Sequence, residues 1–153
     1  MTVGIKEEIS EYLSQDEIET KLLIVIEFDE DLNNVEAPKP LPAGLYDAVI
    51  QTAEPMMSKS EKLMAKVTFA ISADQYPADY TDGNPEGTTL TQYVMLAKDQ
   101  RAKFALKQFC NAIGYPLSNS IDISLWVGLP AKVEVINEMY EGNPQARIKR
   151  VVA

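Results

Sequence analysis

A strictly alternating stretch near the middle of the chain constrains the fold most. Between Lys62 and Ser72 every second residue is apolar, namely Leu63, Ala65, Val67, Phe69 and Ile71. Successive side chains of a β-strand point to opposite faces, so this pattern predicts a strand with one buried face. Shorter patterns of the same kind predict four further strands, at residues 45–53, 88–96, 131–136 and 145–152.

One helical pattern interrupts these strands. Residues 98–113 carry apolar side chains on one side of a predicted helix, namely Phe104, Leu106, Phe109, Ala112 and Ile113, and Gly114 supplies the stop. The order is therefore three strands, one helix and two strands, which is the element order of an OB-fold. We predict a β-rich (α+β) domain, a five-stranded OB-like barrel with a helix between strands 3 and 4. Loops are expected at residues 54–61 and 73–87.

The N-terminal part of the chain differs in charge. Residues 1–40 hold 11 acidic and 3 basic side chains, whereas residues 41–153 hold 12 acidic and 11 basic ones. Ile5, Ile9 and Leu13 recur at helical spacing and predict one short helix. A second segment runs from residue 16 to about residue 28, and its end, residues 22–28, is β-branched enough to be a strand instead.

Three prolines between residues 38 and 42 exclude a helix there and indicate a boundary. We therefore predict an acidic, partly helical N-terminal arm and linker, residues 1–37, followed by the β-domain, residues 38–153. Three interpretations of the arm stay open. It covers apolar surface of the domain, it binds a partner protein, or it occupies a basic groove and inhibits binding there. Homo-oligomerisation is open as well.

Missing residue types narrow the function. The chain has no His and one Cys, which removes the commonest general base, the usual nucleophile pairs and a structural zinc site. No GxxxxGK[ST] or GxGxxG motif occurs, so a phosphate-cradling loop is not indicated. We expect a protein that is not an enzyme and has no cofactor or metal. A carboxylate–metal hydrolase is the weakest alternative, because no acidic cluster has ligand spacing.

Hydropathy and cysteine content predict the cellular location of the protein. The longest apolar run, residues 22–26, is far shorter than the roughly 18–20 residues that a membrane helix needs. The first residues lack the basic and then apolar order of a signal peptide, and a single Cys excludes an internal disulfide. We expect no membrane association and a cytoplasmic protein.

Several short motifs resemble those of a family of small tailed-phage proteins. They are the LPAGxY strand entry in residues 40–50, Ser58-Lys59-Ser60, the strand 63–71, Ala112-Ile113-Gly114, Asp122, Trp126-Val127-Gly128, Glu141-Gly142 and the basic strand around Arg147–Arg150. The resemblance covers roughly residues 38–152 and no part of the arm. Members of that family are regarded as single-stranded-DNA-binding proteins of OB type. The resemblance thus implies a DNA-binding protein of bacteriophage DNA replication or recombination, placed in the host cytoplasm.

Binding a single strand requires cations along its backbone and aromatic rings that stack on its bases. The candidates are Lys59, Lys62, Lys66, Tyr93, Tyr140, Arg147 and Lys149. Lys62 and Lys66 share one face of the second strand, and Arg147 and Lys149 share one face of the last. Alternative roles are a solvated face for the lysines, a core edge for Tyr93 and protection of an edge strand for the last pair.

Other cations and apolar residues have simpler interpretations. Lys103 and Lys107, one turn apart, are expected on the solvent face of the helix. Trp126 and Cys110 are expected in the core. The principal hypothesis is a sequence-independent single-stranded-DNA-binding protein. The alternative is a virion or assembly protein of decoration or adaptor type, which does not bind nucleic acid.

Overall fold

The computed structural model describes residues 24–153, and the chain divides between Glu36 and Ala37 into two compact units. In the first unit, Ile24–Phe28 lie in neither a helix nor a strand, so both predictions for that segment are wrong over these residues. Leu32–Asn34 form one 3-10 turn, because the Asp31 carboxylate accepts the backbone N–H of Asn33 at 2.9 Å. The predicted first helix and the start of the second lie outside the described residues.

The second unit contains five antiparallel strands and one α-helix. The strands are β1 (Gly44–Met57), β2 (Leu63–Ile71), β3 (Thr88–Met95), β4 (Pro130–Tyr140) and β5 (Asn143–Val152). The helix, α1 (Gln100–Ile113), lies between β3 and β4, and short 3-10 turns occur at Ala73–Gln75 and Ile123–Trp126. The predicted order of three strands, one helix and two strands is confirmed.

The strands form one sheet in the order β3-β2-β1-β4-β5. Within residues 24–153 the hydrogen-bonded ladder ends at β3 on one side and at β5 on the other. This confirms the β-rich part of the predicted fold class, namely a five-stranded antiparallel sheet with one helix between strands 3 and 4. No helix of the described residues has the length and apolar character needed to cross a bilayer.

Strand β1 is longer than predicted and belongs to both halves of the sheet. Its first part, Gly44 to Val49, pairs with β4, and its second part, Val49 to Met57, pairs with β2. A register shift between Ile50 and Thr52 marks a β-bulge at the changeover. The predicted loop at residues 54–61 is wrong over 54–57, where Pro55 continues the strand opposite Ala65. Proline is tolerated because, among the strands of residues 24–153, this part of β1 has a neighbour on one side only.

Alternating residues of β1, β2 and β4 supply the core. Ala65, Val67, Phe69 and Ile71 are buried as the period-two pattern predicts. Leu41, in the proline-rich entry, is buried as well and was not anticipated. Trp126 is fully buried, as predicted, with its ring centroid 5.0 Å from that of Phe109. The sheet thus has one apolar face and one solvent-facing, or outer, face.

Helix α1 packs against this core through Phe109, Cys110 and Ile113. The Asp99 carboxylate caps its start by accepting the N–H of Ala102, and Gly114 ends it in the left-handed region at φ 74°. The prediction that Phe104 is on the buried side is wrong, since it is 57% exposed. Phe104 precedes Phe109 by five residues, which is about 140° around a helix. Cys110 is buried as predicted, and burial raises the pKa of its thiol.

Candidate nucleic-acid interface

The outer face of β2 and β3 presents a lysine and a tyrosine side by side. Lys66 on β2 lies directly opposite Tyr93 on β3, and the next outer pair is Thr68 with Thr91. Tyr93 is 52% exposed, because its neighbours Gln92 and Val94 point to the apolar face. Directly opposite residues are close enough for their side chains to act on one ligand. We call this surface the β2–β3 face.

A surface cleft adjoins this face at the β3 edge of the sheet and reaches the apolar side, where helix α1 packs. It has a volume of about 420 Å³, and its charged and aromatic borders include Lys62, Tyr93 and Arg101. Its floor is apolar and includes Val94, Met95 and Phe109. The Asp99 carboxylate also borders it but is held by the N–H of Ala102 at the helix start. Lys62 and Arg101 thus border the same cleft as the exposed Tyr93 ring, and Lys66 lies opposite that ring across the two strands.

Arg101 is the residue of this group that sequence reasoning missed. The pattern indicated only that it lies on the helix surface. One signal was available, because Arg101 is the second residue after the capping Asp99 and so lies in the first helical turn. The β3–α1 connection brings that turn next to the end of β3, where Tyr93 is located.

Lys59 and Lys62 are held by a tight turn between β1 and β2. The Ser58 N–H donates to the Lys62 carbonyl at 2.8 Å, and the Ser58 hydroxyl accepts the Lys62 N–H at 3.0 Å. Glu61 adopts φ 62° to close the turn. Lys59 is exposed at the tip, so the turn presents it at the same end of β2 as Lys62.

One carboxylate faces the same surface. Glu54 on β1 lies directly opposite Lys66 on its other side. Among residues 24–153 the ion pairs closer than 4.0 Å are three, and Lys66 is in none of them. The ammonium group of Lys66 is therefore available to an anionic ligand, although Glu54 reduces the local positive potential.

The remaining candidates lie on the other half of the sheet, which we call the β4–β5 face. Tyr140 ends β4 at a two-residue hairpin turn in which Glu141 and Gly142 both have positive φ, as a type I′ turn requires. Tyr140 is 59% exposed. Arg147 on β5 is paired with Glu138, with Nε 2.8 Å from Oε1.

A β-bulge changes the predicted arrangement of the last strand. Ile148 pairs with Val135 and Arg150 pairs with Glu134, so Lys149 is the extra residue without a partner across the ladder. The simple alternation that placed Arg147 and Lys149 on one face is interrupted there. Arg150, rather than Lys149, lies opposite Glu134 and is bound to it, with Nε 2.6 Å from Oε1.

The structure therefore brings together only part of the predicted set. Lys62 and Tyr93 border one cleft with Arg101, Lys66 lies opposite Tyr93, and Lys59 lies in the adjoining turn. The other three candidates, Tyr140, Arg147 and Lys149, lie on the far side of β1, because β2 and β4 pair with opposite edges of that strand. The predicted residues form two separate groups in the sheet.

Potential metal ligands and shifted pKa values bear on what either group can do chemically. In residues 24–153 no three His, Cys, Asp or Glu side chains come close enough to hold a metal ion. Burial raises the pKa of Tyr46 and Tyr80, and neither phenol borders the β2–β3 face or its cleft. Their hydroxyls donate to backbone carbonyls, that of Pro42 at 2.7 Å and that of Lys39 at 2.9 Å.

Comparison with known proteins adds no relative to this picture. No protein-family model matches the sequence, and no curated protein was found to match it. Function is therefore inferred from the residues and their arrangement.

Proposed function

We propose that this chain binds single-stranded DNA without sequence specificity, through the β2–β3 face and its cleft. The main observation behind this proposal is that Lys66 lies directly opposite Tyr93 on neighbouring strands. Lys62 and Arg101 border the same cleft as Tyr93. Lysine and arginine neutralise phosphates, and an exposed ring offers a stacking platform that accepts any base. Both are needed for a single strand, whose bases are not already stacked in a duplex.

A more specific interpretation of the fold also supports this proposal. We interpret the domain as an OB-like barrel, in which strands 2 and 3 and the loops after strands 1 and 4 commonly bind oligonucleotides. Gln92 of β3 and Arg150 to Val152 of β5 border one cleft together with α1, so the two end strands approach each other. Such an approach is what a partly open barrel requires.

The charge distribution fits a local interface. Residues 37–153 contain 12 acidic and 12 basic side chains, whereas residues 1–36 contain 11 acidic and 2 basic ones. The second unit is thus neutral overall, and attraction to DNA has to come from the local cluster of cations rather than from net charge. We further propose, from the resemblance of its motifs to those of phage single-stranded-DNA-binding proteins, that this activity serves phage replication or recombination.

The test is the fluorescence anisotropy of a labelled oligo-dT of about 30 nucleotides, titrated with the full chain at low and moderate salt. We expect affinity to fall with salt at a log–log slope of about −2, as three phosphate contacts imply for a single strand. A duplex of equal length should bind much more weakly. Absence of binding at low salt would contradict the proposal and favour the assembly-protein alternative, for which oligomeric state would be measured next.

A further inference from the structure

A second groove lies on a different side of α1 from the cleft described above. It has a volume of about 670 Å³ and lies between α1, the β3–α1 connection and the segment from Leu117 to Ile123. Its floor is aliphatic, formed by Leu63, Leu96, Leu106, Leu117, Ile121 and Ile123. Apolar side chains that line an open groove leave water in contact with apolar surface, and binding an apolar partner removes that water.

Three lysines border this aliphatic floor. Lys103 and Lys107 are one helical turn apart on α1, and Lys98 precedes the helix. None of them is in an ion pair with another residue in the part of the chain that the structure describes. The one acidic residue within the Leu117–Ile123 segment, Asp122, is not among the residues that line the groove, and its carboxylate accepts hydrogen bonds from Ser124. The groove therefore combines an apolar floor with an uncompensated positive border.

We propose that this groove binds an acidic amphipathic peptide segment of a partner protein. A short helix with apolar side chains at i, i+3, i+4 and i+7 would place them on the leucine and isoleucine floor. Glutamates or aspartates on its flanks would lie beside Lys98, Lys103 and Lys107. Charge complementarity of this kind selects acidic partners and speeds their association.

The residues that line the second groove are not those that bind nucleic acid. Sequence-independent binding of single strands relies on aromatic rings, and the described lining of the groove has none. The cleft next to Tyr93 uses Arg101, Ala102 and Ala105, whereas the second groove uses Lys103, Leu106 and Lys107. Helix α1 thus serves two surfaces with different residues, and the peptide site does not depend on the DNA-binding proposal.

The test uses a labelled synthetic peptide of about 18 residues, five helical turns, with leucine at the anchor positions and glutamate between them. Its anisotropy is measured with the full chain, and a control peptide carries lysine in place of glutamate. We expect the acidic peptide to bind and the basic one not to. The double substitution Lys103→Glu and Lys107→Glu should weaken binding at least about tenfold, which corresponds to 1.4 kcal/mol. Leu117→Ser should weaken it about threefold through the floor.

Lys132→Glu is the matched control, since Lys132 is an exposed lysine on β4 outside the groove. It should leave peptide affinity within about twofold. Equal binding of both peptides, or equal loss from Lys132→Glu, would overturn the proposal. Displacement of the peptide by oligo-dT would assign the groove to nucleic acid instead. Carbodiimide cross-links from Lys103 to residues 1–36 would show that the chain's own acidic segment is the occupant, which would also overturn it.

Discussion

On the β2–β3 face Lys66 lies opposite Tyr93 and has no ion-pair partner among residues 24–153, whereas on the β4–β5 face Arg147 and Arg150 are each bound to a glutamate. All three ion pairs of residues 24–153 involve β4, and the third joins Lys132 to Asp47 of β1. The two halves of the sheet carry similar numbers of cations. They differ in the acidic residues that the register places beside them.

This difference separates cations that are available to a ligand from cations that are neutralised within the sheet. A phosphate approaching Arg147 has to compete with Glu138, which already forms an ion pair with the Arg147 guanidinium. A phosphate approaching Lys62, Lys66 or Arg101 meets no such competitor closer than 4.0 Å among the described residues. The comparison therefore predicts that substitutions on the β2–β3 face weaken DNA binding more than the corresponding substitutions on the β4–β5 face.

The largest effect is expected for the double substitution Lys62→Glu and Lys66→Glu. It removes two phosphate contacts and places a carboxylate at position 66 directly opposite Glu54, so the affinity for oligo-dT should fall about 100-fold. Both residues are exposed, and the fold should be unaffected. Slow reaction of the buried Cys110 thiol with a thiol reagent would verify folding in each variant. An affinity within about threefold of the native value would contradict the proposed interface.

The next effect is expected for Tyr93→Ala, which removes the stacking platform and leaves all charges in place. Affinity should fall about tenfold, as alanine substitutions of stacking rings usually produce, with the salt slope unchanged. Phe104→Ala is the matched control, because Phe104 is an equally exposed ring on α1 that does not border the cleft. Equal losses from the two variants would show that Tyr93 has no specific role.

A smaller effect is expected on the other half of the sheet. Arg147→Gln should lower oligo-dT affinity by less than about threefold, because its charge is already compensated by Glu138. Glu138→Gln releases that arginine, and affinity should rise slightly. A loss of about tenfold in Arg147→Gln would show that the DNA path crosses the β4–β5 face and would remove the contrast between the two halves.

The smallest effect concerns stability. Arg150→Gln should reduce the free energy of unfolding by about 1 kcal/mol, because the Arg150 side chain is 65% exposed even though its partner Glu134 is only 24% exposed. Urea denaturation of Arg150→Gln, Glu134→Gln and the double variant gives the coupling energy. A coupling well above about 1 kcal/mol would mean that these ion pairs serve mainly to hold β4 and β5 together.

Much of the fold was predictable because one face of each strand is buried. The alternation from Leu63 to Ile71 could adopt only one register without exposing Phe69 and Val67. The extension of β1 through Pro55 was not predictable, since proline ordinarily argues against a strand. Tolerance of Pro55 depends on which part of β1 lacks a second neighbour, and that is a property of the whole sheet.

The residues of the candidate interface could be predicted from the sequence, but which of them lie together in the structure could not. Lys62, Lys66 and Tyr93 were named from the sequence, but the register that places Lys66 opposite Tyr93 cannot be inferred from either strand alone. Arg101 joins them only because the β3–α1 connection is short. The compensation of Arg147 and Arg150 depends on cross-strand glutamates and on a bulge at Lys149, which no local pattern encodes.

The shared strand β1 also bears on how the domain assembles. Its pairing with β2 joins residues close in sequence, such as Met57 with Leu63, whereas its pairing with β4 joins Gly44 with Val135 across most of the domain. Closing the shorter loop costs less chain entropy, so the β1–β2 hairpin is expected to form early and β4 to dock late. Substitutions in the β1–β4 ladder should then act chiefly on the unfolding rate, and those in the β1–β2 hairpin on the folding rate.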